Sequence, residues 1–163
     1  MSTTVEECIL EDASGLCLLS RAMTEADIDE VYAIEHRAHT HPWKRSIFET
    51  RVRGKDFCRV IVQKNQVVAY AIASYGGGDA ELLNIVVDPQ HQRRGIAGLL
   101  LKHIISLVAG HADMMFLEVR VSNQKAIDLY SCEGFFETGH RKSYYPTNNG
   151  REDALLMACQ LQA

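Results

Sequence analysis

Between an apolar run ending at Val87 and an amphipathic segment beginning at Ile96, the chain reads Gln92-Arg93-Arg94-Gly95-Ile96-Ala97-Gly98. A helix starting here departs from the usual rule. Helix N-termini carry partial positive charge and attract acidic residues, yet two arginines open this one. Free backbone N–H groups, glycine that permits close approach and adjacent guanidinium groups together suit an anion, most simply a pyrophosphate. A solvated basic turn capped by glycine accounts for the same residues, and short glycine-rich matches recur by chance. Other phosphate motifs fit worse. The pattern GxxxxGK[ST] does not occur, and GxGxxG fails because Gly95 is followed by Ile96, Ala97 and Gly98. A nucleotide triphosphatase and a nicotinamide enzyme are thereby disfavoured.

Further along, Glu118 interrupts the apolar run Met114-Met115-Phe116-Leu117 within a strand-like stretch. Alternation puts it on one face with Phe116 and Arg120, so the residues alone read as an exposed glutamate pairing with Arg120. Tyr130 reads as a ring packed in the core with its hydroxyl at the edge. His36 and His39 share a helical face and His41 follows closely, but no acidic or cysteine ligand joins them at a recognised spacing, so no metal site is expected. His103, on an apolar helix face, reads as a hydrogen-bonded core histidine. Five cysteines, Cys8, Cys17, Cys58, Cys132 and Cys159, contain no CxxC pair and are odd in number. They suggest neither a zinc ribbon nor a disulfide framework and fit a reducing cytoplasm.

The elements that must position these groups follow from periodicity. Residues 1 to about 15 read as a loose tail, and residues 16–163 as a single domain, consistent with 163 residues that are 47% hydrophobic. Leu16 to Leu19 reads as a short strand. Thr24-Glu25-Ala26-Asp27 then supplies a capping hydroxyl and acidic residues to a helix running through about His36. Pro42-Trp43 interrupts, and Ser46 to Val52 forms a second short helix. Phe57 to Val62 and Val67 to Ser74 make a hairpin around Gln63-Lys64-Asn65-Gln66, and Glu81 to Val87 follows the turn Gly76-Gly77-Gly78-Asp79. Asp88-Pro89 stops that strand. Ile96, Leu99, Leu100, His103, Ile104, Leu107 and Val108 then keep helical spacing up to Gly110. Met114 to Val121 is a strand, Asn123 to Cys132 a helix capped by Asn123, and Phe135 to Tyr144 and Ala154 to Leu161 are strands. The order is a β-meander, then βαβα and two last strands.

Charge narrows the function classes. With 17 basic and 21 acidic side chains the formal net charge is −4, which argues against a nucleic-acid partner. No run approaches the roughly 20 apolar residues of a membrane span, and the acidic N-terminal segment lacks the form of a signal peptide, so no membrane association is expected.

These residues stand in an order that resembles the GNAT N-acetyltransferase superfamily, whose signature Q/R-x-x-G-x-G/A appears as Gln92 to Ala97. Asn84-Ile85-Val86-Val87-Asp88-Pro89 precedes the loop, Leu117 to Asn123 leads to Ala126-Ile127-Asp128-Leu129-Tyr130, and Gly134-Phe135 follows. With His36-Arg37-Ala38-His39, Pro42-Trp43, Tyr144-Tyr145-Pro146-Thr147 and Gly150 to Ala154, the set is similar to the bacterial ribosomal-protein-alanine N-acetyltransferases, from about residue 16 to the C-terminus. The resemblance implies a mixed α/β (α+β) fold with a central, mostly antiparallel sheet flanked by helices. It implies acetyl-coenzyme A as co-substrate. The pantetheine arm would lie on Ile85, Val86 and Val87, the pyrophosphate on Arg93, Arg94, Gly95, Ile96, Ala97 and Gly98, and Asn123 would also touch the coenzyme. It assigns Glu118 as general base and Tyr130 as proton donor to the departing thiolate, with direct attack by the amine and no covalent acetyl-enzyme.

The implied acceptor is the N-terminal alanine of a small-subunit ribosomal protein, the eighteenth. Trp43, Tyr144 and Tyr145 would border its groove, and Glu35, Glu152 and Asp153 would meet its basic residues. A peptide α-amine, with a pKa of about 8, asks less of a base than lysine near 10.4. A lysine or small-amine acetyltransferase is the neighbouring alternative. A non-catalytic acyl-coenzyme A sensor is the alternative from another class, and retention of Glu118 and Tyr130 counts against it.

Overall fold

The structure is a computed structural model that describes residues 7–162. The strands are β1 (Cys8–Glu11), β2 (Cys17–Ala22), β3 (Phe57–Gln63), β4 (Gln66–Gly76), β5 (Asp79–Val87), β6 (Met114–Arg120), β7 (Phe136–Thr147) and β8 (Gly150–Gln160). The helices are α1 (Ile28–Ala38), α2 (Arg45–Arg53), α3 (Ile96–Val108) and α4 (Gln124–Cys132). All eight strands form one sheet in the order β1-β2-β3-β4-β5-β6-β8-β7. Among the described residues only β5 and β6 run parallel, joined by the crossover helix α3.

Local chemistry explains the meander. Lys64 and Asn65 take positive φ of 49° and 62° between the closing pair Gln63 and Gln66, the two-residue turn whose twist matches an antiparallel ribbon. Gly77 and Gly78, at φ 63° and 91°, turn β4 into β5. At the far end of β5, Pro89 cannot donate to a ladder and the Asp88 side chain accepts from Gln90 N–H at 3.1 Å, ending the strand. Arg37 on α1 pairs with the same Asp88 at 2.6 Å and ties that corner to the helix.

The sheet is covered on both faces. The apolar stripe of α3, Ile96, Leu100, Leu101, Ile104 and Val108, packs with Leu82, Met115, Leu117 and Val119 on one side. Ile28, Val31 and Ile34 of α1 and Phe48 of α2 pack with Val60, Tyr70, Ile72 and Val86 on the other.

The feature that makes a site is a failure of pairing. Parallel pairing of β5 with β6 runs only from Asp79–Leu82 against Met114–Leu117. In β5, Leu82 faces Ala73 and Asn84 faces Ile72, so Leu83 is an extra residue, a bulge that bends β5 at that point. Past the bulge β5 stays with β4 while β6 stays with β8 to Arg120. A wedge opens between two strands of one sheet.

The mixed α/β fold with a mostly antiparallel sheet agrees with the sequence reading, and two details correct it. Cys8–Glu11 is not a loose tail: it pairs antiparallel with Cys17 to Ser20 as the edge strand β1. Residues 12–16 form a turn held by the Asp12 side chain, and residues 1–6 of the expected tail lie outside the described residues. The last two strands are longer than their apolar runs, because β7 and β8 continue as a hairpin through the polar segment to Thr147 and Gly150. Among the described residues no helix is long and apolar enough to cross a membrane.

Candidate active site

The wedge opens into a cleft of about 660 Å³ running from the N-terminus of α3, between β5 and β6, to the α1–α2 connection. Its two ends are built differently. At one end, the first helical bond of α3 is Leu99 N–H to Gly95 O at 3.2 Å, which leaves the N–H groups of Ile96, Ala97 and Gly98 without intrahelical partners. No acidic residue stands in this first turn. Gly95 has φ +76°, the left-handed region, and a Cβ there would meet no atom within 4 Å. Arg93, also at positive φ, lines the cleft beside Gly95. These are the properties of an anion cradle, so the residues fit the diphosphate of a coenzyme. Leu83, Asn84, Ile85 and Val87 form the β5 wall beyond the bulge.

Asn123 occupies the N-cap of α4 and accepts from Ala126 N–H at 3.3 Å, and it also borders the cleft. Two turns on, Tyr130 is 8% exposed and lines the cleft with its ring 5.8 Å from that of Phe135. Burial pushes its hydroxyl up to about 12, with a smaller contribution from Tyr145, so it holds its proton at working pH. The α4 helix thus brings a protonated hydroxyl to the cleft that the β6 residues also line.

Glu118 stands on that wall, at the start of the splayed segment of β6. Its Oε1 is 3.0 Å from Arg141 Nη2, and its side chain is 21% exposed. Glu118 also accepts a hydrogen bond from the Tyr144 hydroxyl, which raises Tyr144 above its ordinary value. It also borders a second hollow on the sheet face with Glu81, Phe116 and Thr138. The expected Glu118–Arg120 pair does not form. Arg120 turns to Glu152 at 3.0 Å and Pro146 O at 2.8 Å, and its guanidinium lies 4.6 Å from the Tyr145 ring centre. That contact fixes Tyr145 against the cleft, helped by a crimp in β7 where Ser143 takes φ 49° and its N–H reaches Asp153 at 2.9 Å.

The other end of the cleft is closed by Glu35, His39, His41 and Trp43. Sequence reasoning took Glu35 as an exposed acidic partner, whereas it is 1% exposed. Its Oε1 accepts Trp43 N–H at 3.0 Å, and its Oε2 accepts from the Tyr70 hydroxyl and from Asn84 Nδ2 at 3.2 Å. Burial and then the Glu35 charge hold the Tyr70 hydroxyl far above its ordinary value. One carboxylate therefore fastens the α1–α2 connection to β4 and β5. Its signal in the sequence was only a glutamate on the apolar side of α1, one residue after Ile34.

Most of the sequence-derived residues meet here. Ile85, Val87, Arg93, Gly95, Ile96, Ala97, Gly98, Glu118, Asn123 and Tyr130 all line one cleft, with Trp43 and Tyr145. Two side chains do not. Arg94 turns away to Asp12 and Gln63, and Val86 is buried on the α1 side of the sheet. Tyr144 stands behind Tyr145, ring centres 4.9 Å apart, on the Glu118–Arg141 pair. His36 bonds Tyr32 O at 3.1 Å, and His103 bonds Ser20 Oγ at 2.9 Å as a half-buried histidine. Gln92, the first residue of the loop signature, borders the same end, as do His91 and Lys125, which the sequence did not single out.

With this geometry in hand, similarity to known proteins is specific. The sequence model of the Acetyltransferase (GNAT) family matches residues 26–135. The chain is 39% identical over 138 residues, 84% of this chain and 93% of the other, to [ribosomal protein bS18]-alanine N-acetyltransferase of Escherichia coli K12. It is 36% identical over 137 residues to the protein of the same name from Haemophilus influenzae, covering 83% of this chain and 93% of that one. The crystal structure of the ribosomal-protein-S18-alanine N-acetyltransferase from Escherichia coli superimposes with a TM-score of 0.85 at 36% identity, covering 90% of this chain and 95% of that one.

Proposed function

Since the chain belongs to the acetyltransferase (GNAT) family, we propose that it carries the acetyl group of acetyl-coenzyme A to the N-terminal α-amine of an alanine-starting ribosomal protein, bS18. The observation that carries this reading is the splay of β5 and β6, with an anion cradle at one end and Glu118 and Tyr130 on its walls. Likeness over 84% of the chain to enzymes named for that acceptor supports the choice of substrate.

Bound acetyl-coenzyme A supplies an activated acetyl thioester. The chain does the rest. Arg93, Gly95 and the free N–H groups of Ile96, Ala97 and Gly98 hold the diphosphate, and the unpaired side of β5 beside Ile85 and Val87 aligns the pantetheine arm. Asn123 flanks that arm. An amine attacks only when neutral, so Glu118, directly or through water, takes a proton from an α-amine whose pKa is about 8. A backbone N–H near Val86 or Val87 would stabilise charge growing on the thioester oxygen. Tyr130, protonated by virtue of its burial, donates to the leaving sulfur. None of the five free cysteines lines the cleft, consistent with direct transfer from one substrate to the other. The α1–α2 connection, held by Glu35 and carrying Trp43, would form the acceptor's side of the cleft opposite Tyr145. Acceptor and enzyme would meet in the cytoplasm, where five unbonded cysteines are at home.

The test is a pair of peptides with the ribosomal N-terminal sequence, lysines included, one with a free alanine amine and one blocked at that amine. Mass spectrometry after incubation with acetyl-coenzyme A should find product from the first alone. Equal acetylation of the blocked peptide would make the chain a lysine acetyltransferase, and acetylation of neither would turn the search to small amines.

A further inference from the structure

The anion loop is gripped from outside by a segment that the family match does not include. Asp12 follows β1 and precedes the 26–135 match. Its carboxylate is shut off from solvent. Oδ1 accepts from Ser14 N–H at 2.9 Å, Ser14 Oγ at 2.6 Å and Leu16 N–H at 3.0 Å, which folds residues 12–16 into a tight turn. Oδ2 accepts from Arg94 Nε at 2.8 Å and also from Arg94 Nη2. Next to it, Ala13 N–H donates to Arg94 O at 3.1 Å, and Arg94 Nη1 reaches Gln63 Oε1 at 3.0 Å. Arg94 is thus held by both side chain and backbone.

The grip falls on a demanding piece of backbone. Arg93 and Gly95, on either side of Arg94, have φ of 64° and 76°. A non-glycine residue in the left-handed region persists only where its surroundings over-determine it. With Arg94 anchored outward, Arg93 and Gly95 are the residues left facing the cleft. From this geometry we propose that Asp12 is a positioning residue for coenzyme binding: the N-terminal strap formed by β1 and the 12–16 turn clamps Arg94 and so presets the diphosphate cradle.

The proposal rests on the reading of that loop as the diphosphate site, and the test separates the two. Affinity for acetyl-coenzyme A and for S-acetyl-pantetheine, which lacks the diphosphate, is measured by calorimetry for the wild-type chain, Asp12→Asn and Arg94→Gln, together with kcat. Each substitution should weaken acetyl-coenzyme A binding about tenfold, leave S-acetyl-pantetheine binding within about twofold, and change kcat at saturating coenzyme little. The double variant should be no worse than the poorer single one, because both remove one contact. A general loss of folding would weaken both ligands alike, so equal losses overturn the proposal, as does wild-type coenzyme affinity in both variants. Should Asp12→Asn fail to fold, Arg94→Gln is read on the same two ligands. If instead the wild-type chain binds both ligands equally well, the loop is not a diphosphate site and the parent reading fails.

Discussion

The two ends of the cleft make the same kind of complementary surface from different materials. At the coenzyme end the ligand-facing groups are largely backbone: the first N–H groups of α3, a glycine at positive φ and a strand edge freed by a bulge. At the acceptor end they are side chains, each set by a partner far away in sequence: Glu118 by Arg141, Arg120 by Glu152, and Trp43 through Glu35 by Tyr70 and Asn84. Backbone recognition suits a constant ligand such as a coenzyme, whereas paired side chains can be exchanged to choose an acceptor. The contrast predicts that damage at the first end removes binding and that damage at the second removes rate or acceptor fit.

Gly95→Glu breaks the first end most severely, because the new carboxylate enters the cradle and the residue must also adopt φ +76°. Calorimetry should find acetyl-coenzyme A affinity reduced by more than about 100-fold, equivalent to about 3 kcal/mol, in a chain whose circular dichroism is unchanged. Undiminished affinity would remove the cradle from the account.

Glu35→Ala sharpens the comparison from the other side. The substitution leaves the Trp43 N–H and the Tyr70 hydroxyl without their acceptor, and leaves the Asn84 amide only the Tyr70 oxygen. A loss of about 3 kcal/mol in urea unfolding is expected from stranding buried donors. Coenzyme affinity of the variant, measured below its unfolding midpoint, should stay close to that of the wild type while the acceptor KM rises. Loss confined to coenzyme affinity would place Glu35 at the wrong end.

These ends also differ in how far they could be read from the chain. The cradle was legible because glycine and arginine in Gln92 to Gly98 are consecutive, and consecutive residues carry their geometry with them. Asn123 was legible locally as the cap of α4, while Tyr130, seven residues on, read locally as a core ring and reached the site list through the family resemblance. Glu118 was found through its family pattern but given the wrong neighbour, since Arg120 is close in sequence while Arg141 arrives through β8 and the crimped edge strand β7. Glu35 was misjudged outright, because nothing local announces that a carboxylate on α1 will be met by Tyr70, Asn84 and the Trp43 backbone. The bulge at Leu83 that opens the wedge sits in Leu82-Leu83-Asn84-Ile85, where no glycine or proline marks it, and pairing registers alone reveal it. Edge strand β1 escaped because four residues with one charge at the end give too short an alternation to distinguish from a tail.

A smaller effect concerns pH. The acceptor amine must lose a proton near pH 8 before it can attack, while Tyr130 must keep its own and does so up to about 12. Rate at subsaturating acceptor should therefore rise about tenfold per unit through the low side of pH 8 and level off above it. No fall should appear before about pH 10. A descending limb near neutrality would mean that the proton donor is a group other than Tyr130.

The division of labour is tested most directly by Glu118→Gln, which keeps the size of the side chain and its place beside Arg141 while removing the base. Single-turnover acetylation of the alanine-starting peptide is measured beside acetyl-coenzyme A affinity in the same preparation. The account predicts a rate lowered by about 10² to 10⁴ with the affinity within about twofold. Wild-type turnover in the folded variant would contradict it.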